Sequence, residues 1–536
     1  MSKKTTLICL GALLLAAAAA LVLLLNRPSG QTEDTAADKK ASSVFSNSDI
    51  TAAGNAASFV FSDSGITAAE DVTSGYEIEG TALTITSAGT YTVSGSCSDG
   101  SITVKKGTTG VTLILDDLTL TSGDTAPISC NKSTEVTIVA AEGTTNTLAD
   151  SERNNDETYA DNENAENAVI KCKDGSNVTI CGSGTLNITA NGKNGIKSGT
   201  TTDNEGEASL TIQDLALNIT APVNDAINAE QLLNIESGTL NISAADDAIH
   251  SDYELNIGAD GTTGPTITIT DCYEGIEAAA LNIRSGNIDI TSTDDCLNAA
   301  NSDLTNYAFS MTISGGTINA YSSSGDGFDS NGSLTISGGT VVVWTANTAD
   351  NQPLDADGTI TISGGTVLAA GGSAGMGTNL SALQPCVIFG ANSGMGGGMN
   401  RGPQGSASAA VSKGSTLSVR DTSENILYSA DAPCNVSYVL FSSAELTSES
   451  SYTLYSGNTS ASTATAQTGN PGSNGGMTPG APGPTGGNGN GAAPTPPDGN
   501  TNAPPSAPGG NQAGGGPDAT GNENPNGASG IETNQP

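Results

Sequence analysis

A six-residue phrase with a large apolar residue in its fourth place organises the middle of the chain. It reads NDAINA (Asn224–Ala229), DDAIHS (Asp246–Ser251), YEGIEA (Tyr273–Ala278), DDCLNA (Asp294–Ala299), GDGFDS (Gly325–Ser330) and NQPLDA (Asn351–Ala356). The sixth place is always Ala or Ser, and the second and fifth are mostly acidic or amide. TAPISC (Thr125–Cys130), NAVIKC (Asn167–Cys172) and NGIKSG, entering one residue late at Asn194, share the frame without the acids. The apolar places are then Ile128, Ile170, Ile196, Ile227, Ile249, Ile276, Leu297, Phe328 and Leu354. Their spacing runs from 21 residues (Ile276 to Leu297) to 42 (Ile128 to Ile170). So irregular a period predicts a solenoid with loops of unequal length.

A second pattern follows each phrase, an apolar alternation broken by a small turn. Examples are LNIESGTLNIS (Leu233–Ser243), LNIRSGNIDIT (Leu281–Thr291), MTISGGTINAY (Met311–Tyr321), LTISGGTVVVW (Leu334–Trp344) and ITISGGTVLAA (Ile360–Ala370). Alternation with period two is a half-buried strand, and Ser-Gly-Gly is a turn. One coil is therefore strand, glycine turn, strand, polar corner and a short strand carrying the phrase. No segment of the repeat has a 3.6-residue apolar stripe, which argues against helical repeats. The fold expected is all-β, a single-stranded parallel β-helix whose inward Ile, Leu, Val and Ala form ladders.

The flanks divide the rest of the chain. Lys3 and Lys4 precede an apolar run of nineteen residues, Leu7–Leu25, ~28 Å long as a helix against a hydrocarbon core of ~30 Å. Residues 1–26 are read as a signal peptide or uncleaved membrane anchor, so that the remainder is exported and touches membrane only through residues 7–25. Residues 27–75 read as a flexible spacer, 76–370 as the repeat domain, and 371–457 as a Gly-rich loop followed by a β cap. Residues 458–536 are rich in Gly, Pro and Asn and read as a disordered tail. The 42-residue spacing comes from an Asp-, Glu- and Asn-rich insertion, Asp150–Asn167, readable as a solvated loop or as one ordered by calcium.

Composition narrows the function. With 56 acids against 17 bases the formal charge is −39, which excludes nucleic acid as a partner and favours cations or neutral polymers. Aromatics make up 4% of the residues and Gly numbers 68, too little aromatic bulk for an ordinary large core but suited to a thin solenoid. The expected state is a monomer.

The acids fall in register. In stacked coils about 4.8 Å apart, second places bring together Asp225, Asp247, Glu274, Asp295 and Asp326, and fifth places Asn228, His250, Glu277, Asn298, Asp329 and Asp355. Asp246 and Asp294 precede two of them. Two carboxylates ~5 Å apart repel by ~3 kcal/mol at an effective dielectric near 20, so the stack wants a counterion. Calcium–oxygen bonds of ~2.3–2.6 Å span about one coil spacing. Asp225, Asp246, Asp247, Glu274, Glu277, Asp294, Asp295, Asp326 and Asp329 are therefore candidate calcium ligands, against the plainer reading of a solvated acidic face.

Other candidates are single residues. His250 is the chain's one histidine, which leaves no His-based metal cluster; it is expected at the surface, or in contact with sugar. Tyr321 and Trp344 end equivalent strands on consecutive coils and are read either as a shelf for a sugar face or as caps on the core. Lys171 and Lys197 hold the fifth place on the two coils before the acids begin. A lyase acting beside a metal-bound uronate needs such a base, with Lys197 first and Arg284 second; Lys197 is also a candidate sugar contact. Cys130 and Cys172 share the small sixth place on consecutive coils, close enough for a disulfide but equally suited to buried thiols.

Several of these runs are very similar to one bacterial family. AGTYTVSGSCSDGSITV, VTLILDDLTLTSGDTAPISC, VTIVAAEGTTNTLAD, GSGTLNITANGKNGIKSG and the closing VSYVLFSSAELTSESSYTLYSG resemble the exported carbohydrate-binding β-helix proteins, typified by a clostridial cellulose- and pectin-binding member. The likeness covers roughly residues 76–457. It implies a right-handed helix like that of polysaccharide lyases, bound calcium, and affinity for plant cell-wall polysaccharide without demonstrated cleavage. Where that family writes D-D-G-I-K, this chain often carries Ala, Cys or Pro in place of Gly. Three functions stay open: a calcium-dependent binder of cellulose or a pectin-like polymer, a pectate-type lyase, and an adhesion or spacer solenoid in which calcium serves stability alone.

Overall fold

A computed structural model describes residues 55–69, 74–346, 351–372, 379–390 and 410–469. The Leu7–Leu25 run and nearly all of the proposed tail lie outside the described residues. Among the described residues there is no helix, and 34 strands join one large, mostly parallel sheet. They form three ladders, each strand pairing with its counterpart in the next repeat.

The first ladder carries the phrase. Its register runs Ile128, Ile170, Ile196, Ile227, Ile249, Ile276, Leu297, Phe328 and Leu354, each the direct partner of the next. All nine are buried, and each such side chain contributes about 1.5–3 kcal/mol by leaving water. The small sixth place is forced by the chain's turn into the second ladder, where Ala229, Ser251, Ala278 and Ser330 are all 0% exposed. The second ladder includes Val111, Val136, Val178, Leu210, Leu233, Leu255 and Leu281. The third stacks Leu186, Leu217, Leu240, Ile267, Ile288, Ile318 and Val341. These apolar columns form one continuous buried core. Cys130 and Cys172 are register partners, both free and wholly buried; each thiol sits against the other, which with burial pushes the Cys130 thiol well up.

Outward places are polar and self-complementary. On the third ladder Asn218 Nδ2 donates to Asn187 Oδ1, and Asn241 Nδ2 to Asn218 Oδ1, each at 2.8 Å. The insertion is ordered by its own side chains. Asp150, 2% exposed, accepts from the N–H groups of Asn191 and Gly192 and from Asn154 Nδ2. Asn154 in turn donates to Ala168 O and accepts from Glu166 N–H.

Both ends of the sheet depart from expectation. It starts at Asn55, inside the segment read as spacer, because Ala57, Phe59 and Phe61 alternate inward and Asn55–Ser62 pairs with Gly89–Cys97. At the other end the parallel ladder runs past 370 to Ala382, paired with Ile362. Tyr438–Ser442 then crosses antiparallel over both Thr366–Gly371 and Leu380–Phe389, and a separate four-stranded antiparallel sheet covers that end. Beneath the cap the outward places turn apolar: Val342, Trp344, Leu368 and Ala370 pack with Leu417, Val419, Phe441 and Leu454 in a second core.

The Ser-Gly-Gly turns stack as closely as the strands do. Gly316, Gly339 and Gly365 share φ values of 84°, 81° and 82°. A Cβ on Gly339 would lie 2.6 Å from the carbonyl oxygen of Gly316. Gly261 has a similar φ, 75°, with nothing within 4 Å. Gly261→Ala is expected to lose only the backbone term of about 1 kcal/mol, and Gly339→Ala to lose clearly more. Urea midpoints of the two variants measure the difference; equal shifts would show that the turn stack is loose.

Candidate functional site

The acidic places stack as their register requires. Main-chain bonds join them from repeat to repeat: Ala226 N–H to Asp247 O, Ala248 N–H to Glu274 O, and Gly275 N–H to Asp295 O, at 2.9–3.0 Å. Side chains add to this. Asp225 Oδ1 accepts from Asp247 N–H at 3.2 Å, Asp295 Oδ1 from Asp326 N–H at 2.7 Å, and Asp326 Oδ1 from Gln352 N–H. Each of these acids thus caps the backbone of the following repeat, and that fixes where its other oxygen points; for Asp225 that oxygen accepts from Asn228 Nδ2 at 2.6 Å.

Three groups of ligand atoms come within 4.8 Å of one another: Asp225 with Asp246 and Asp247; Asp247 with His250 and Glu277; and Asp326 with Asp329 and Asp355. The first and third, made of carboxylates alone, can hold a metal ion; in the second, both His250 nitrogens are already committed to carboxylates. Six of the nine expected ligands fall in the three groups. Glu274, Asp294 and Asp295 do not: Glu274 Oε2 accepts from Asn298 Nδ2 at 2.9 Å, and Asp294 is engaged by the Tyr273 hydroxyl. Asp355, in the same register, takes a place the sequence reading left out of the ligand set.

Burial shapes the charge. Asp225 and Asp247 are 5% and 9% exposed. Burial first, and neighbouring carboxylates after it, push Asp247 and Asp326 up to about 7, Glu274 and Asp295 to about 8 and Asp329 to about 6. Asp225 is raised as well, again chiefly by burial. Bringing so many oxygens together away from water disfavours their charged forms. Among them, Asn298 is 8% exposed and its Oδ1 has no hydrogen-bond partner. It sits in register between Glu277 and Asp329.

His250 is neither free nor at the open surface. Its Nδ1 lies 2.9 Å from Asp247 and 2.8 Å from Glu277, and its Nε2 2.9 Å from Asp252. Burial opposes charging the ring, but these three carboxylates outweigh it and push the imidazole up to about 12. His250 therefore lies inside the acidic ladder, with both nitrogens committed to carboxylates. Asp252 was invisible to the repeat frame, since it lies beyond the phrase.

The basic candidates separate. Lys171 and Lys197 are register partners. Lys197 Nζ reaches Asn228 Oδ1 at 3.0 Å and Glu230 at 3.1 Å. Burial, and then Lys197, hold Lys171 below the usual amine range. Arg284 belongs to the second ladder, where Nη1 donates to Asn256 Oδ1 at 2.8 Å, away from the carboxylates of the first. Tyr321 and Trp344 are register partners, but Trp344 is 3% exposed under the cap, so it offers an edge rather than an open ring face. Both line a cleft of about 400 Å³ with Asn319, Asp289, Asp431 and Pro433.

A family model described as carbohydrate-binding domain-containing protein matches residues 79–377. A protein of that description from Acetivibrio thermocellus is 37% identical over 134 residues, 25% of this chain and 45% of the relative, so the chain matches less than half of that relative's length. A solved structure of a polysaccharide lyase-like protein from C. thermocellum, a gadolinium derivative, aligns over 57% of this chain and 97% of its own, at 22% identity and a TM-score of 0.35. The repeats and their acidic ladder fall within residues 79–377, and the chain belongs to the carbohydrate-binding domain family.

Proposed function

We propose that this is an extracellular, calcium-stabilised, polysaccharide-binding module, its three ladders closed into a right-handed single-stranded parallel β-helix. The buried oxygen ladder with its unpartnered Asn298 Oδ1 carries the calcium part of this reading. An amide oxygen buried without a donor is costly, and a hard cation satisfies it together with the carboxylates around it. Apart from His250 the donors are all oxygen, the set calcium prefers. Asp225, Asp246 and Asp247 would hold one ion and Asp326, Asp329 and Asp355 another, with Glu274 and Asn298 between. The ion supplies positive charge that keeps stacked carboxylates ionised, and through them ties successive repeats together. Family membership supports carbohydrate as the ligand, and the apolar N-terminal run supports export.

A calcium-dependent lyase is the second reading, favoured by one observation. Lys171 is an amine whose proton affinity burial has lowered, as a base for β-elimination requires. Lys197, tied to Asn228 and Glu230, is less suited to that role.

Calcium removal by chelator should lower the melting temperature by several degrees, and excess calcium should restore it. Asp326→Asn should shrink that response, while an unchanged melting curve on chelation would remove calcium from the account. The pH dependence has a fixed sign. The carboxyls of Asp247, Glu274, Asp295, Asp326 and Asp329 titrate higher folded than unfolded, so their contribution is full below about pH 4. It is lost as pH climbs to about 8. Chelated protein should therefore lose stability over that window, and calcium-loaded protein should not.

Function is tested by incubating the full chain with polygalacturonate and with insoluble cellulose, with calcium and with chelator. Retention without new ultraviolet absorbance supports the binder. Absorbance from unsaturated products that disappears in Lys171→Ala supports the lyase. Retention on neither polymer would leave a scaffold.

A further inference from the structure

We propose that the outer face of the third ladder, running toward the cleft under the cap, is the strip on which a neutral extended glycan lies, one sugar per repeat. This rests on the carbohydrate-binding reading and adds the face and the ligand's charge class.

The strands Thr185–Thr189, Ala216–Ala221, Thr239–Ala244 and Thr317–Ser322 each turn three alternating places outward. The middle places of these four are amides, Asn187, Asn218, Asn241 and Asn319, with Thr268 and Asp289 standing between the last two. Within the stack Asn218 donates to Asn187 and accepts from Asn241, and Asn319 donates to Asp289 Oδ1, so each of these amides keeps at least one donor and one lone pair for solvent or ligand. Hydroxyls flank them, with Thr220 and Thr239 exposed. From Asn187 to Asn241 the amide returns about every 4.8 Å, and Thr268 continues the column with a hydroxyl. An extended β-linked glycan advances by a similar length per sugar, so a chain laid along the stack meets an amide or a hydroxyl at each unit except where Asp289 stands. The three outward columns hold no Lys or Arg, and their carboxylates are Asp271 and Asp289. In a chain of formal charge −39 this strip is close to neutral. A polyuronate laid on it would meet acids without a cation, whereas a neutral polyol meets hydroxyls and amides.

The cap gives the strip an end. Asp431 and Pro433 stand over Asn319 and Tyr321, and the intervening cleft of about 400 Å³ has the edge of Trp344 in its wall. It is sized for a sugar or two, with an aromatic side and polar groups for orientation. The second ladder is a poorer strip. Its central amide, Asn256, donates to Asn234 and Glu254 and accepts from Asn282 and Arg284, so it has no capacity left for a ligand.

Calorimetric titration of soluble cello-oligosaccharide into the full chain tests this, beside two strip variants and a control. The variants are the pair Thr220→Glu with Asn241→Glu, and Tyr321→Ala; the control is Asn234→Glu on the second ladder. Both strip variants should bind at least tenfold more weakly while the control binds as wild type, all with wild-type urea midpoints. A strip variant that stays folded and binds normally, or a control that loses as much, overturns the proposal. Wild type that binds polygalacturonate but no cello-oligosaccharide also overturns it, and leaves the carbohydrate-binding reading standing. Binding of neither glycan overturns both.

Discussion

In a parallel ladder every side chain lies over its counterpart in the next repeat, about 4.8 Å away, and what that counterpart is decides the rest. Isoleucine over isoleucine is a close-packed core. Asparagine over asparagine is a donor meeting an acceptor. Aspartate over aspartate is repulsion. The chain answers that repulsion in the first ladder by several means at once: backbone N–H groups that cap Asp225 and Asp295, an imidazole placed among Asp247, Asp252 and Glu277, and burial that disfavours the charged forms of Glu274 and Asp329. Charge unanswered by these means is what a cation would meet.

The three outer surfaces consequently differ in chemistry although one repeat generates them all. The first ladder concentrates charge, the second saturates Asn256 through Arg284 and Glu254, and the third keeps unspent hydrogen-bonding capacity. A point substitution on one of them should leave the others alone, because side chains interact along a column far more than between columns.

Much of this was legible in the sequence, for a physical reason. A fourth-place apolar residue can be buried only in one register, and a slip by one would turn it to water; the nine apolar places therefore pair as the phrase alignment requires. The ends were harder. Asn55–Ser62 is a single alternating strand without a phrase to announce it. The run Val341–Trp344 does hold a readable signal, since an unbroken apolar strand must be covered on both faces, and here the cover is the cap over Trp344. The ion pairs of His250 depend on Asp252, outside the repeat frame, and the lack of a partner for Asn298 Oδ1 is a matter of three-dimensional neighbours that no spacing reveals.

The Tyr438–Ser442 strand that crosses the last repeat is antiparallel to everything it touches there. Parallel strands add to an exposed parallel edge as readily from another molecule as from the same one, so a chain emerging from its N-terminus can build repeat upon repeat with a sticky front always at its growing end. The reversed strand ends that growth. Until it docks, a nearly finished molecule is also a template for its neighbours, and the concentration at which these molecules are made then governs how many become joined end to end.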